Sequence, residues 1–199
     1  MSAQTRLPKT QLFVVRHGET EWSLSGRHTS HTDLALTPHG EDQARQCGAY
    51  LTAFAFDRVL TSPRRRARTT AELAVPGATA VVDPDLAEWD YGDYEGRTSK
   101  DIEAERPGWL LFRDGCPGGE TAQQVSDRAD RLIARIRESD GNVAVFSHGH
   151  FSCVLGARWI GLPILEGQHL TLGPASLAVL GFSASHPDVS VITQWNRAP

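Results

Sequence analysis

Lysine is scarce in this 199-residue sequence. Of its 20 lysines and arginines, only Lys9 and Lys100 are lysines. The planar guanidinium of arginine is suited to two-point capture of phosphate or carboxylate, whereas lysine offers a compact point charge. The formal net charge of −4 argues against nucleic acid and against anionic membranes as partners. We therefore expect no nucleic-acid or membrane binding, and a small anionic ligand fits the arginine bias.

Long apolar runs and paired cysteines are also missing. No stretch approaches the roughly 20 apolar residues that cross a bilayer, and the start, MSAQTRLPKTQ, lacks the apolar run of a secretory signal. The three cysteines, Cys47, Cys116 and Cys153, are odd in number and widely spaced, which disfavours a disulfide framework or a cysteine zinc site. These absences predict a reducing, cytoplasmic location.

The motifs of several phosphate-handling and hydrolytic enzymes are absent or incomplete. The sequence has no GxxxxGK[ST] and no GxSxG. VVDPDLA imitates the start of haloacid-type phosphatases, but Ala87 replaces the expected threonine or valine, and no paired aspartates with a lysine follow. Cys153 and Arg158 resemble the Cys-x5-Arg loop of cysteine phosphatases, but only four residues separate them, one fewer than that loop requires. HGH and HTSH lack the further partners that would complete a metal site, so we expect no metal.

The pattern of elements predicts an α/β fold. With 40% hydrophobic residues, the chain can bury a real core, and its length suits one domain over residues 1–199 with a short irregular insertion at about 89–119. The predicted strands are QLFVV, DRVLTS, TAVVDPDL, VAVF, SLAVLGFS and SVITQW. Helices are predicted to start at Pro38 and Pro63 and to cover GETAQQVSDRADRLIARIRES and HGHFSCVLGARWIG. Strands alternating with helices favour a three-layer α/β/α arrangement around a mostly parallel central sheet.

The third of these helices has the clearest apolar face. Five apolar side chains recur at helical spacing and are expected to face the core: Val125, Ala129, Leu132, Ile133 and Ile136.

Two strands end in the same way, in LFVVRHGETEW and VAVFSHGHFSC. A single histidine at a strand end is more often structural than catalytic. However, the carboxyl ends of parallel strands meet at one edge of a sheet, where ligands bind, so His17 and His148 are expected to lie close together. Arg16 precedes His17, the arginine cluster SPRRRART follows the second strand, and Glu88 follows the third. Together these residues could supply a nucleophile, guanidinium groups that bind an anion, a second hydrogen-bond donor and a proton carrier.

RHGETEW, SPRRRARTT, LAEWDYGDYEG and FSHGH resemble, in order, the signatures of the histidine phosphatase superfamily, also called the phosphoglycerate mutase-like family. TEWSLSGRHTSHTDLALTPHG, EWDYGDYEG and RDGCPGGET are more similar to its sedoheptulose-bisphosphatase-like branch than to the mutases. The resemblance implies the phosphoglycerate mutase-like fold, no metal or other cofactor, and a phosphohistidine intermediate. By position it implies His17 as nucleophile, Arg16, Arg66 and His148 as phosphoryl-binding groups, and Glu88 as proton carrier.

The family spacing Ser-Pro-x-x-Arg-Ala selects Arg66 from the arginine cluster, which leaves three neighbours as structural or solvated residues: Arg64, Arg65 and Arg68. We also expect the cluster of arginines to lower the pKa of His17, so that its imidazole is neutral and nucleophilic near pH 7. A phosphate dianion in the same pocket would favour the protonated form of Glu88, which suits it as the acid for the leaving group.

The sequence departs from many family members in the region expected to bind the substrate. Ser23 stands where asparagine is common, and Thr29 and Ser30 stand where glutamine-glycine is common. Five residues are predicted to contact the substrate: Ser23, Arg27, Thr29, Ser30 and Gly149. A further four could line the pocket or could equally be loop packing: His28, His31, Trp89 and Tyr91.

The sequence-based hypothesis is therefore a metal-independent phosphomonoesterase for small phosphorylated metabolites. Sugar phosphates or bisphosphates are the expected substrates, and broad acid phosphatase activity is also compatible with the sequence. A cofactor-dependent phosphoglycerate mutase is the first alternative, disfavoured because the insertion is short and Lys100 is its only lysine. The second is a catalytically silent binding protein on the same fold. A homodimer is possible, since members of the family are often dimers.

Overall fold

The computed structural model describes residues 10–139 and 141–199. The amino-terminal segment considered above, including Lys9, lies outside the described residues. Within them, six strands form one sheet in the order β3-β2-β4-β1-β5-β6. The strands are β1 (Leu12–Arg16), β2 (Arg58–Thr61), β3 (Val81–Val82), β4 (Val143–Ser147), β5 (Leu177–Phe182) and β6 (Ser190–Arg197).

The sheet is parallel over most of its width. β1 pairs in parallel with β4, β4 with β2, and β2 with β3. β5 is antiparallel to β1, and β6 is antiparallel to β5. The prediction of a mostly parallel sheet is confirmed, with two antiparallel strands at one side.

The helices lie on both faces of the sheet. They are α1 (Glu21–Ser25), α2 (Pro38–Leu51), α3 (Arg65–Ala74), α4 (Ser99–Glu105), α5 (Leu111–Asp114), α6 (Ala122–Arg137) and α7 (Gly149–Trp159). Short 3₁₀ turns cover Pro84–Leu86, Gly92–Tyr94 and Ile164–His169. α2 and α3 pack together on one face, and α6 and α7 pack together on the other. None of these described helices has the length and apolar character that crossing a membrane requires.

Strand β1 shows how the sheet divides the core into two. Its side chains alternate between the faces, as strand geometry requires. Leu12 and Val14 join the cluster that includes α6 and α7, whereas Phe13 and Val15 join the cluster that includes α2 and α3. The three-layer α/β/α arrangement predicted from the sequence is thus confirmed.

Two helix starts follow from local capping chemistry. The Thr37 side chain accepts a hydrogen bond from Gly40 N, with Pro38 at the first position of α2, as predicted. Thr121 and Gln124 form a capping box that starts α6. All five apolar side chains predicted for the α6 face are buried.

Several predicted boundaries were wrong. The third strand is only Val81–Val82, because Pro84 begins a 3₁₀ turn two residues later and the strand lies at the sheet edge. α3 begins at Arg65 and not at Pro63. The loop after β1 contains α1, and the segment expected to be irregular, 89–119, contains α4 and α5. These short helices have too few turns to produce a periodic apolar pattern.

Candidate active site

The two histidines at the strand ends meet. β1 and β4 are neighbours, with Arg16 paired to Ser147, so His17 and His148 follow adjacent strand ends. Their ring centroids are 5.2 Å apart and the ring planes are inclined by 64°. The expectation that the sheet brings these two imidazoles together is confirmed.

The hydrogen bonds of His17 define its tautomer. Its Nδ1 lies 2.7 Å from the backbone oxygen of Gly18. A carbonyl oxygen can only accept, so in the neutral ring Nδ1 carries the hydrogen and Nε2 carries the lone pair. The ring is 5% exposed and lines a cavity. His17 therefore presents an unprotonated nitrogen to that cavity.

The glycine after His17 permits a close approach of two backbones. A Cβ on Gly18 would lie 2.3 Å from the carbonyl oxygen of Gly40, at the start of α2, which is closer than any side chain allows. Gly149 lies beside the Arg16 guanidinium, but a Cβ there would make only an ordinary contact, 3.4 Å from Cζ. The first His-Gly sequence is thus required by packing against α2, whereas the second is not required by the space around it.

Arg66 is held inside the protein by backbone oxygens. Its side chain is fully buried, and it donates from Nη1 to Thr32 O (3.0 Å) and from Nη2 to Thr29 O (2.9 Å) and Ser30 O (3.3 Å). Its Nε is buried and has no hydrogen-bond partner in the described part of the chain. Arg66 therefore retains donor capacity for an anion.

The other arginines of the cluster have different surroundings. Arg64 is half-buried and hydrogen-bonds to the His31 ring, whereas Arg65 and Arg68 are exposed. Arg66 is the only one of the four that is fully buried, although the Nε of Arg64 is also buried and has no hydrogen-bond partner among the described residues.

Arg16 is the second guanidinium of the site. Its Nη1 donates to Leu172 O at 2.6 Å, and its buried Nε lacks a partner among the described residues. Burial, with Arg66 and Arg16 nearby, lowers the pKa of His17 well below its usual 6.5. The neutral imidazole expected from the sequence agrees with this direction.

Ser62, which sequence analysis did not single out, orients His148. Its Oγ lies 2.7 Å from His148 Nε2 and accepts a hydrogen bond from Arg64 N (3.3 Å). The Ser62 hydroxyl makes no other hydrogen bond within the described residues, so we assign its hydrogen to Nε2, which leaves the His148 hydrogen on Nδ1. That Nδ1 is buried and unpaired in the described structure, so it is an available donor.

Glu88 sits at the amino end of α7. Oε1 accepts from Trp89 N (2.9 Å) and Phe151 N (2.8 Å), and Oε2 accepts from His150 N (3.1 Å). Its backbone is fixed from α6, where Arg128 donates to Ala87 O at 2.7 Å. Glu88 is thereby held at the start of α7, the helix that follows His148, although the strand expected to precede Glu88 is cut short.

The cavity has a volume of about 320 Å³. Of the residues predicted for the site, seven line it: Arg16, His17, Ser23, Arg27, Thr29, Glu88 and Gly149. Arg66 and His148 are fully buried outside this lining. Ser30 is not part of the lining, because its amide and hydroxyl both donate to the Glu95 carboxylate.

The hydroxyls predicted to bind substrate are already engaged within the protein. Ser23 Oγ accepts from Thr20 N (2.8 Å) and donates to Thr20 O (3.0 Å). Thr29 Oγ donates to Arg27 O (3.0 Å). Both residues shape the cavity wall, but neither hydroxyl has a hydrogen to spare for a ligand.

Some lining residues had only a weak signal in the sequence. Of the residues left open between pocket and packing, His28 and Tyr91 line the cavity, Trp89 is fully buried in the core, and His31 pairs with Asp90 outside it. His150 also lines the cavity and was not predicted to do so. The sequence could have indicated this, because His150 lies in the first turn of a helix that starts at the predicted site.

Comparisons with known proteins agree with this geometry. The model of the histidine phosphatase superfamily (branch 1) matches residues 12–195. The chain is similar to an acid phosphatase of Mycobacterium tuberculosis, with 43% identity over 92% of this chain and 91% of that protein. It is similar to sedoheptulose 1,7-bisphosphatase of Saccharomyces cerevisiae, with 41% identity over 76% of this chain and 68% of that one. A solved structure of a Mycobacterium tuberculosis open reading frame has a TM-score of 0.89 at 40% identity, covering 95% of this chain and 98% of that one.

Removing the Ser62 hydroxyl should disturb His148. In Ser62→Ala, Nε2 loses its donor and the ring can exchange tautomers, so we expect kcat/KM for phosphate esters to fall by about 10- to 100-fold. The ¹⁵N chemical shifts of His148 should report the loss of the fixed tautomer. Ser152→Ala is the matched control, since the Ser152 hydroxyl is buried but has no partner in the described structure. Equal effects of the two substitutions would contradict the role given to Ser62.

The buried histidines predict a loss of stability at acidic pH. Burial lowers the pKa of His150 to about 4 against an unfolded value near 6.5, so between these values the unfolded chain binds more protons. The free energy of unfolding should fall as pH decreases from 6.5, by up to about 1.4 kcal/mol per pH unit for this residue. Urea unfolding at pH 7.5, 6.0 and 5.0 measures the slope, which should be shallower in His150→Gln. His39→Gln, at an exposed histidine, should keep the wild-type slope.

Proposed function

The chain belongs to the histidine phosphatase superfamily and is a phosphatase, and we propose that it hydrolyses small phosphorylated metabolites through a phosphohistidine intermediate on His17. One observation carries the proposal. The Nδ1 hydrogen of the buried His17 ring points to Gly18 O, which leaves the Nε2 lone pair for attack on phosphorus.

The surrounding groups suit phosphoryl transfer. This reaction passes through a loose transition state in which negative charge spreads over the non-bridging oxygens, so catalysis is mainly positioning and electrostatics. Arg16 and Arg66 offer guanidinium donors, and the unpaired His148 Nδ1–H offers a third group. We propose that these three bind the transferred phosphoryl group and that no metal ion takes part.

The proposed reaction has two displacements. In the first, His17 Nε2 forms a bond to phosphorus, the ester P–O bond breaks, and Glu88 in its acid form gives a proton to the departing oxygen. In the second, water attacks phosphorus, Glu88 as carboxylate takes a proton from that water, and the N–P bond breaks. Inorganic phosphate leaves, and both residues return to their starting forms.

The cavity supports a small substrate. A volume of about 320 Å³ is at the lower end of the range for ligand pockets, roughly 300–1,000 Å³. A relative with 41% identity is named a sedoheptulose 1,7-bisphosphatase, which supports sugar phosphates or bisphosphates as substrates here. Arg27 is exposed at the cavity and could bind a second phosphate. Lys100 is outside the lining, which favours hydrolysis over the mutase alternative.

We also propose that the chain forms a single domain and functions in the cytoplasm. The family match over residues 12–195 supports a single domain. Cys47, Cys116 and Cys153 are unpaired and buried, which supports the reducing setting of the cytoplasm.

Substrate labelled with ³²P should transfer its label to His17. We expect rapid mixing followed by alkaline quenching, which preserves phosphohistidine, to give one labelled peptide containing residue 17. His17→Ala should take up no label and lose turnover by about 10⁴-fold or more, because the nucleophile is gone. His39→Ala should behave like wild type, since that ring is exposed on α2. Label on a serine, cysteine or aspartate would end the proposal.

Substitution of Glu88 should affect poor leaving groups most. For Glu88→Gln we expect kcat on a sugar phosphate to fall by about 10²- to 10⁴-fold, because an alkoxide must be protonated as it leaves. p-Nitrophenyl phosphate should be affected much less, since its phenolate leaves without a proton. Glu72→Gln, an exposed carboxylate on α3, is the control. An unchanged kcat on the sugar phosphate would refute the acid role.

A further inference from the structure

The cavity contains a second pair of histidines that the proposed reaction does not use. The rings of His28 and His150 are stacked, with centroids 5.7 Å apart and planes inclined by 20°. Both residues line the same cavity as His17. Aromatic neighbours fix the pair from outside the cavity, with Trp109 against His28 (5.9 Å) and Phe112 against His150 (5.7 Å). This pair is therefore a rigid, polar part of the wall.

His28 presents a hydrogen-bond acceptor. Its Nδ1 lies 2.8 Å from Arg97 O, and the carbonyl can only accept, so Nδ1 carries the hydrogen of the neutral ring. Burial lowers the pKa of His28, which keeps the ring neutral near pH 7. Its Nε2 then has a lone pair, and no protein group in the described residues is hydrogen-bonded to it.

His150 presents a donor. Its Nδ1 lies 2.6 Å from the hydroxyl of Tyr91, a side chain only 2% exposed. Burial and the Glu88 carboxylate raise the pKa of Tyr91 well above 10, so its hydroxyl keeps a hydrogen that needs an acceptor. His150 Nδ1 is that acceptor, which leaves the ring hydrogen on Nε2. Burial lowers the pKa of His150 to about 4, so a second ring hydrogen is not bound at neutral pH.

Three other polar side chains of the cavity wall are already engaged within the protein. The Ser23 and Thr29 hydroxyls donate to backbone oxygens, and the Cys153 thiol donates to Leu170 O (3.1 Å). The second histidine pair thus offers free groups for the part of a substrate beyond its phosphate. His150 also donates its backbone N–H to Glu88, so this part of the wall is tied to the acid of the reaction.

We propose that His28 and His150 form a hydroxyl-binding subsite, at which the enzyme recognises neighbouring hydroxyl groups on the carbon chain of a polyol phosphate. This inference rests on the proposed function and assigns substrate selection to two further residues. A hydroxyl both donates and accepts, so one can donate to His28 Nε2 while the next accepts from His150 Nε2–H.

The same pair is a poor partner for an acid. A carboxylate or phosphate has only acceptor oxygens, and one of them would face the lone pair of His28 without a hydrogen between them. An alkyl chain would leave both ring nitrogens unpaired and shielded from water. The subsite should therefore favour polyol phosphates over phosphorylated acids and over alkyl phosphates.

Paired substrates test this selection. Sorbitol 6-phosphate and n-hexyl phosphate have equal numbers of carbons but differ in hydroxyls, and glycerol 3-phosphate and 3-phosphoglycerate differ by a carboxylate. In wild type we expect kcat/KM to be at least about 10-fold higher for sorbitol 6-phosphate than for n-hexyl phosphate, and for glycerol 3-phosphate than for 3-phosphoglycerate. His28→Phe should lower kcat/KM for sorbitol 6-phosphate by about 5- to 30-fold, and n-hexyl phosphate and p-nitrophenyl phosphate by less than about twofold.

Two further variants separate recognition from folding. His150→Gln can keep a donor amide and an acceptor for Tyr91, so it should retain more of the preference for sorbitol 6-phosphate than His150→Phe. His186→Phe, at an exposed histidine far along the chain, should change nothing. If a phenylalanine variant does not fold, the kcat/KM values of wild type on the paired substrates still test whether the cavity prefers hydroxyl groups.

The outcomes distinguish this inference from the proposed function. Equal kcat/KM for sorbitol 6-phosphate and n-hexyl phosphate in wild type would overturn the subsite while leaving the phosphatase reaction intact. A parallel loss on all substrates in His28→Phe would also overturn it, since that would indicate a structural role. If no label appears on His17 with any substrate, the proposed function fails, and the subsite fails with it.

Discussion

The site depends on two guanidinium groups held in the interior by backbone oxygens. Arg66 is fully buried on the carbonyls of Thr29, Ser30 and Thr32, and Arg16 is bound to Leu172 O. Burying a cation costs several kcal/mol unless an opposite charge and hydrogen bonds compensate. Here the carbonyls compensate in part, and each guanidinium keeps a buried Nε without a partner in the described chain. In the proposed reaction a phosphoryl group supplies the missing negative charge. Burial, together with Arg66 and Arg16, lowers the pKa of His17 and keeps its imidazole neutral.

These cations are positioned by groups that lie outside the cavity lining. The Glu95 carboxylate accepts hydrogen bonds from Ser30 N and Thr32 N, and the carbonyls of those two residues bind Arg66. Burial raises the pKa of Glu95, but the hydrogen bonds from Thr32 and Ser30 outweigh it, so the net shift is downward and the carboxylate stays ionised. Arg128 acts similarly on the other side, holding the backbone just before Glu88. The positions of Arg66 and Glu88 thus depend on Glu95 and Arg128, two charged residues that lie outside the cavity lining.

Sequence analysis predicted the elements whose chemistry is local or repeated. The buried strands β1 and β4, the face of α6 and the meeting of His17 with His148 follow from apolar patterns and from the common edge of parallel strands. It did not predict what depends on contacts between distant segments. Ser62 reaches a histidine 86 positions away, and Ser30 is turned from the cavity by Glu95, 65 positions away. Histidine tautomers are set by such partners, so no spacing rule could reveal that His28 accepts and His150 donates.

The proposed selection of substrate depends in part on a segment that is separate from the groups of the proposed reaction. Arg16 is the last residue of β1, and His17 and His148 directly follow β1 and β4. These strands lie in the middle of the sheet, where a shift of the backbone would disrupt the core on both faces. Arg27 and His28 lie between β1 and α2, in a segment that pairs with Thr98 and packs on the insertion, not on the sheet. Three residues of that segment are nevertheless tied to Arg66, because the carbonyls of Thr29, Ser30 and Thr32 accept its hydrogen bonds. A side-chain change at Ser23 or Thr29 can alter the cavity wall as long as the backbone of Thr29 keeps its position. A change at Ser30 also affects Glu95, which binds its amide and hydroxyl, so it requires a matching change at residue 95.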